Sequence, residues 1–149
     1  MSGLFGPPPE CRDPLLTWAL STSGPGGAAA YDQSALRKGV SAHATQQGLS
    51  SARRADLELA VQEGVANVFD HGGGSGRVRL WQTDGLLCCE ISDHGPGIPA
   101  RHYQQRASMP DRDRDHGRGL WLMAELSDSL TVTTGPAGTT VVIVVRLQD

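Results

Sequence analysis

What the sequence lacks narrows its class before any motif is read. It contains no apolar run of about 18 residues, so no segment reads as a membrane-spanning helix. No basic stretch leads into an apolar core at the N-terminus, so a secretory signal is not expected. There are only three cysteines, Cys11, Cys88 and Cys89, an odd number without zinc-type spacing. Neighbours on a strand point to opposite faces, so Cys88 and Cys89 cannot both join one cluster. A disulfide framework is therefore not expected, and a reducing cytoplasm is the expected compartment. Charge of one sign is also scarce. The net charge is −3, with no like-charged run, which leaves no electrostatic footprint for nucleic acid. There is no internal repeat.

What is present fits one globular domain. The chain has 149 residues, 38% of them hydrophobic and 19% charged, enough to bury a core. Residues 1–14, with Pro7-Pro8-Pro9, read as a mobile leader, and residues 15–149 as the domain. The 19 glycines exceed ordinary usage and cluster where the chain must turn.

Leu15 to Ser21 reads as a strand, and Ala28 to Gln47 as a helix carrying Leu36, Val40 and Ala44, closed by Gly48. The clearest helix runs from about Ser51 to Asp70. With Glu63 at zero and 100° per residue, Leu57, Val61, Val65 and Val68 fall between roughly 120° and 200°. Asp56, Glu63, Asn67 and Asp70 fall within about 40° of zero. One face is apolar and the other is a stripe of oxygen-bearing side chains. Gly72-Gly73-Gly74 stops this helix.

Arg77 to Thr83 alternates as a strand, Asp84-Gly85 signals a hairpin, and Leu86 to Ser92 returns. Residues 99–116 lack periodicity. Leu120 to Leu126 reads as a helix with Gly117-Arg118-Gly119 at its start. Ser129 to Thr134 and Thr139 to Leu147 pair around Gly135-Pro136-Ala137-Gly138. The expected fold class is α+β, a two-layer sandwich with a mostly antiparallel mixed sheet and helices on one face. Trp18, Trp81 and Trp121 are expected to serve packing.

Three constellations carry chemistry. Glu63-x-x-x-Asn67 puts a carboxylate and an amide on one helical face, a donor pair suited to Mg²⁺. Asp93-x-Gly95-x-Gly97 follows a strand directly. Its Asp can accept from an exocyclic amine, and its glycines let the backbone approach a flat ligand. Gly117-Arg118-Gly119-Leu120 opens a helix, where free N–H groups and the dipole favour an anion. Alone, each has a plainer reading: a solvated helix face, an ordinary Gly-Pro turn, a hinge. Their fixed order makes the set more specific than its members.

That order resembles the ATP-binding domain of the GHKL superfamily, which includes gyrase-type, chaperone-type and histidine-kinase ATPases. Leu59 to Asn67 with His71-Gly72 looks most like the stand-alone anti-sigma-factor serine/threonine kinases. Asp115 to Leu122 with Asp128 is similar to their glycine-rich helix start, and Gly138-Thr139-Thr140-Val141 to their closing strand. The resemblance implies ATP and Mg²⁺ as cofactors. It implies that Asn67 holds the metal and that Glu63 is the general base. Asp93 and Thr139 would read adenine, and Gly95 and Gly97 would shape its wall. Gly117, Arg118, Gly119 and Leu120 would meet the phosphates, under a short lid at 99–116 that carries Arg106, Arg112 and Arg114. His71 would either approach the phosphates or simply close its helix. Arg118 would either neutralise charge or pair with Asp115. The implied partners are a sigma factor and a STAS-type anti-sigma antagonist, with a homodimer as the implied assembly and neither nucleic acid nor membrane as a partner. An ATP-sensing regulator without phosphotransfer is the competing reading.

Overall fold

The structure is a computed structural model that describes residues 8–21, 33–98 and 115–147, with the side chains of α3 described from Gly119 onward. In chain order the elements are β1 (Leu16–Leu20), α1 (Gln33–Gln46), α2 (Ser51–Asp70), β2 (Gly76–Thr83), β3 (Leu86–Asp93), α3 (Asp115–Glu125), β4 (Ser129–Gly135) and β5 (Gly138–Arg146). The strands form one five-stranded sheet in the order β1-β2-β3-β5-β4, antiparallel at every pairing.

Local chemistry sets the element ends. The chain leaves α1 with Gly48 N–H on Thr45 O and Leu49 N–H on Ala44 O, both at 3.0 Å, while Leu49 is buried beside the helix end. This is a Schellman close, which satisfies carbonyls that the helix leaves open. Ser50 then caps α2, its hydroxyl accepting the Arg53 N–H at 3.2 Å. The Asp84-Gly85 turn has φ of 50° and 77°, the positive pair that a two-residue hairpin needs. The chain after β1, where the first helix was expected from Ala28, lies outside the described residues up to Gln33.

The core sits between sheet and helices. One row crosses all five strands through Leu16, Leu80, Cys89, Ile143 and Leu130. Four of these five are fully buried. Against that face α2 lays Leu57, Ala60, Val61, Val65 and Val68, and α1 lays Leu36, Val40 and Ala44. Gly64 lets α2 come close: a Cβ there would overlap Ile91 Cδ1 and stand 3.3 Å from Met123 Sδ. The N-terminal end of α2 is tied to the α3–β4 connection, where Arg53 Nη2 reaches Asp128 Oδ2 at 2.9 Å. The same oxygen accepts the Arg146 N–H at 2.6 Å.

The opposite face of the sheet is not purely polar. Trp81, Cys88, Val142 and Val144 form a second buried cluster, with Cys11 and Leu86 packed against it. Thus residues 8–14 of the expected leader include a side chain laid on the sheet, and residues 1–7 lie outside the described residues. Beside this cluster Arg79 grips Glu90 with two bonds, at 2.8 and 3.0 Å. Its guanidinium lies 5.8 Å from the Trp81 ring centre. The hydrogen bond to Glu90 raises the Arg79 pKa. Burial pushes the Cys88 thiol up to about 12, and the Cys89 thiol is raised too.

Among the described residues, no helix is long and apolar enough to cross a membrane.

Candidate nucleotide site

The last two turns of α2, the end of β3 and the start of β5 converge on one groove. Gly64, Asn67, Val68, His71 and Gly72 line it from α2 and its close. Ile91 and Asp93 come from β3, Gly97 and Ile98 from the following turn, and Thr139 and Val141 from β5. Apolar walls with a few convergent polar atoms are what a small-molecule site needs.

Asp93 is held in place by backbone. Its Oδ1 accepts the Gly95 N–H at 2.9 Å and the Thr139 N–H at 3.1 Å. Fixing one carboxylate oxygen leaves Oδ2 as the acceptor with which Asp93 can meet a ligand. Gly72 lies flush against that oxygen, since a Cβ there would overlap it. The turn after Asp93 is equally tight. Gly97 has φ of 91°, and a Cβ would stand 2.5 Å from Gly135 O. Ile98 N–H then bonds Thr134 Oγ1 at 2.8 Å.

Asn67 enters the groove from α2. Its Nδ2 is buried and has no hydrogen-bond partner among the described residues. A buried amide left open in a native site calls for a ligand, an ion's oxygen shell or water. Gly119 of α3 lies against the same amide: a Cβ there would be 3.2 Å from both Nδ2 and Oδ1. No cluster of three or more His, Cys, Asp or Glu side chains stands among the described residues. The open atom of Asn67 is an N–H donor, which suits a phosphate or water oxygen, and Oδ1 of the same amide is the atom that could meet a cation whose other ligands are phosphates and water.

Sequence-expected positions are therefore sorted by the fold. Asn67, Asp93, Gly97 and Thr139 meet at the groove, and Gly119 borders it through Asn67. Gly95 is buried against the Gly72 backbone and shapes the groove from behind. Leu120 is fully buried in the core, so its side chain packs the domain. Glu63 stands half-buried one helical turn before Asn67, outside the groove lining. His71 closes α2 with its N–H on Asn67 O at 2.9 Å, and it also lines the groove. The third helix starts at Asp115, five residues before Leu120, so Gly117 and Gly119 lie within its first two turns. The side chains of Asp115 and Arg118, and residues 99–114 with Arg106, Arg112 and Arg114, lie outside the described residues. Thr134 and Gly72 were not expected as site residues. No periodicity points to Thr134, because its partner Ile98 is 36 positions away.

A family model described as a histidine kinase-like ATPase domain matches residues 28–145. The chain belongs to that family. This histidine kinase-like ATPase domain is a GHKL-type ATP-binding domain, for which ATP is the nucleotide and Mg²⁺ typically its cation. Among curated protein sequences, none matches the chain. Among solved structures, it is similar to the histidine kinase domain of the Erythrobacter litoralis EL346 blue-light activated histidine kinase. The identity is 23% and the TM-score 0.50, covering 64% of this chain and 48% of that one. It is also similar to the Acinetobacter baumannii histidine kinase AdeS, at 11% identity and TM-score 0.50 over the same shares. These likenesses concern the fold. The chain spans about half the length of those two proteins.

Proposed function

We propose that the groove binds Mg-ATP and that the protein is a regulatory serine/threonine kinase of the anti-sigma-factor type. In this reading it phosphorylates a small STAS-type antagonist and sequesters a sigma factor. The observation that carries the nucleotide reading is Asp93. One oxygen is consumed by two backbone N–H groups, which aims the other at a ligand amine. Asn67, whose buried Nδ2 has no partner among the described residues, lines the same groove and would meet the metal and phosphates. Asn67 would hold Mg²⁺, which would supply positive charge against that developing on the phosphates.

The kinase reading rests on Glu63. It shares a helical face with Asn67 at a spacing of four, which would set its carboxylate near a phosphate held at Asn67. Glu63 would take the proton from a Ser or Thr hydroxyl of the partner as that oxygen bonds the γ-phosphorus and ADP leaves. Incubation with labelled ATP, Mg²⁺ and the antagonist should label the antagonist. ATP binding without label transfer would end this reading.

A second reading has its own support. Glu63 lies outside the groove lining. The protein would then sense ATP and hold its partner without transferring phosphate. In that case Glu63→Gln would leave regulation in cells unchanged.

A further inference from the structure

Two threonines meet across the β4–β5 hairpin. Thr134 and Thr139 are registered partners, with Oγ1 atoms 2.8 Å apart. Thr139 is buried and lines the groove, while Thr134 stands behind it. Thr134 Oγ1 also accepts the Ile98 N–H at 2.8 Å. A hydroxyl has one proton to give and two lone pairs. The Ile98 N–H takes one lone pair, so the Thr134 proton needs an acceptor. Thr139 Oγ1 is the acceptor that stands within reach. With the opposite polarity, Thr134 would hold a part-buried O–H with no described acceptor, which is costly.

We propose that Thr134 is a positioning residue that sets base selectivity through the direction of this hydroxyl pair. Thr134 donates to Thr139, and Thr139 therefore turns its own proton into the groove. The groove then shows an acceptor at Asp93 Oδ2 and a donor at Thr139. Adenine carries the matching pair, a donor at its exocyclic amine and an acceptor at N1. Guanine carries the reverse on that edge, an acceptor at O6 and a donor at N1, so it meets two mismatches. Thr134 does not touch the base. The same hydroxyl fixes Ile98 and so closes the turn that begins at Asp93. Backbone bonds to Asp93 hold one end of that turn and Thr134 holds the other. This inference rests on reading the groove as a nucleotide site.

The test compares Thr134→Val, Thr134→Ala and Thr134→Ser with the unaltered protein. Dissociation constants for Mg-ATP and Mg-GTP are measured by calorimetry, together with hydrogen exchange at the Ile98 amide without nucleotide. Either hydroxyl-free variant should weaken Mg-ATP binding about fivefold or more and narrow the GTP-to-ATP ratio by a similar factor. Thr134→Ser should restore both. Exchange at Ile98 should speed up in the Val and Ala variants and not in the Ser variant. An unchanged ratio in Val and Ala, or an equal loss in Ser, overturns the inference while leaving ATP binding intact. If the unaltered protein binds neither nucleotide, the nucleotide reading itself falls, and the selectivity inference falls with it.

Discussion

Gly95 meets Gly72 backbone to backbone. A Cβ on Gly95 would stand 2.6 Å from the Gly72 carbonyl carbon and 2.7 Å from its Cα. Neither neighbour is the tip of a flexible side chain, so neither can step aside cheaply. Through this contact the close of α2 and the turn after β3 fix each other.

Gly95→Ala is therefore expected to cost about 1–3 kcal/mol of stability, the range for forced overpacking. It should also weaken nucleotide binding, because Gly95 N–H holds Asp93 Oδ1. Urea unfolding and calorimetry on the same sample would measure both. Wild-type stability together with wild-type affinity would contradict the packing argument.

Asp93→Asn separates folding from binding. Asn Oδ1 can still accept the Gly95 and Thr139 N–H groups, so the turn should survive. The Nδ2 group would then occupy the place of Oδ2 and face a ligand amine donor to donor. Mg-ATP affinity should fall about 10–100-fold, the value of a hydrogen bond to a charged group. The melting temperature without nucleotide should change by only a few degrees. Unfolding of the variant, or unchanged affinity, would contradict this.

Gly64 offers a graded series. In a helix interior Gly costs about 1 kcal/mol relative to Ala. The new Cβ of Gly64→Ala would strike Ile91 Cδ1, so the helix gain is offset by the shift of this buried side-chain end. That variant should be close to neutral in stability. Gly64→Leu forces a whole side chain between α2, Ile91 and Met123, more than either neighbour can clear, and should lose about 1–3 kcal/mol. Ile91 lines the groove, so ligand affinity should drop in both variants and more in the second. Chemical denaturation and calorimetry across the pair would check the order.

The cysteines predict an alkaline limit. Burial raises the Cys88 thiol to about 12, against about 8.5 for a free thiol. The folded state thus keeps a proton that the unfolded state gives up. This contribution to stability is whole below about pH 8.5 and is lost as pH climbs towards 12. The urea midpoint should fall from pH 8 to pH 10, and Cys88→Ala should flatten that fall. In native protein Cys11, which is half-buried, should react with a thiol reagent ahead of fully buried Cys88 and Cys89.

Much of the fold was readable because its signals are local. The Leu57–Val68 stripe and the glycines after Asp70 bound α2 at the residues observed. Asp84-Gly85 placed the first hairpin for the same reason. Asn67, Asp93 and Gly97, which line one groove, were legible because each belongs to an ordered motif, while Thr139 came only through the resemblance. What escaped depends on contacts far apart in the chain. Asp115 and its neighbours alternate in charge like an exposed loop, yet the helix starts there. Leu120 follows a glycine-rich segment, and only the folded core shows that its side chain packs against the sheet and helices. Cys11 lies among prolines and charges, and only the folded sheet shows the cluster it covers.

The tie between Arg53 and Asp128 reaches further than a surface ion pair usually does. It pins the first turn of α2, while the residues that line the groove ride on the last two. Fourteen residues separate Arg53 from Asn67, about 21 Å along a rigid rod. A tilt of about 3° at the pinned end sweeps the Asn67 amide through about 1 Å, about the misplacement that spoils a positioned group. Asp128 thus ties down one end of the helix whose other end lines the groove.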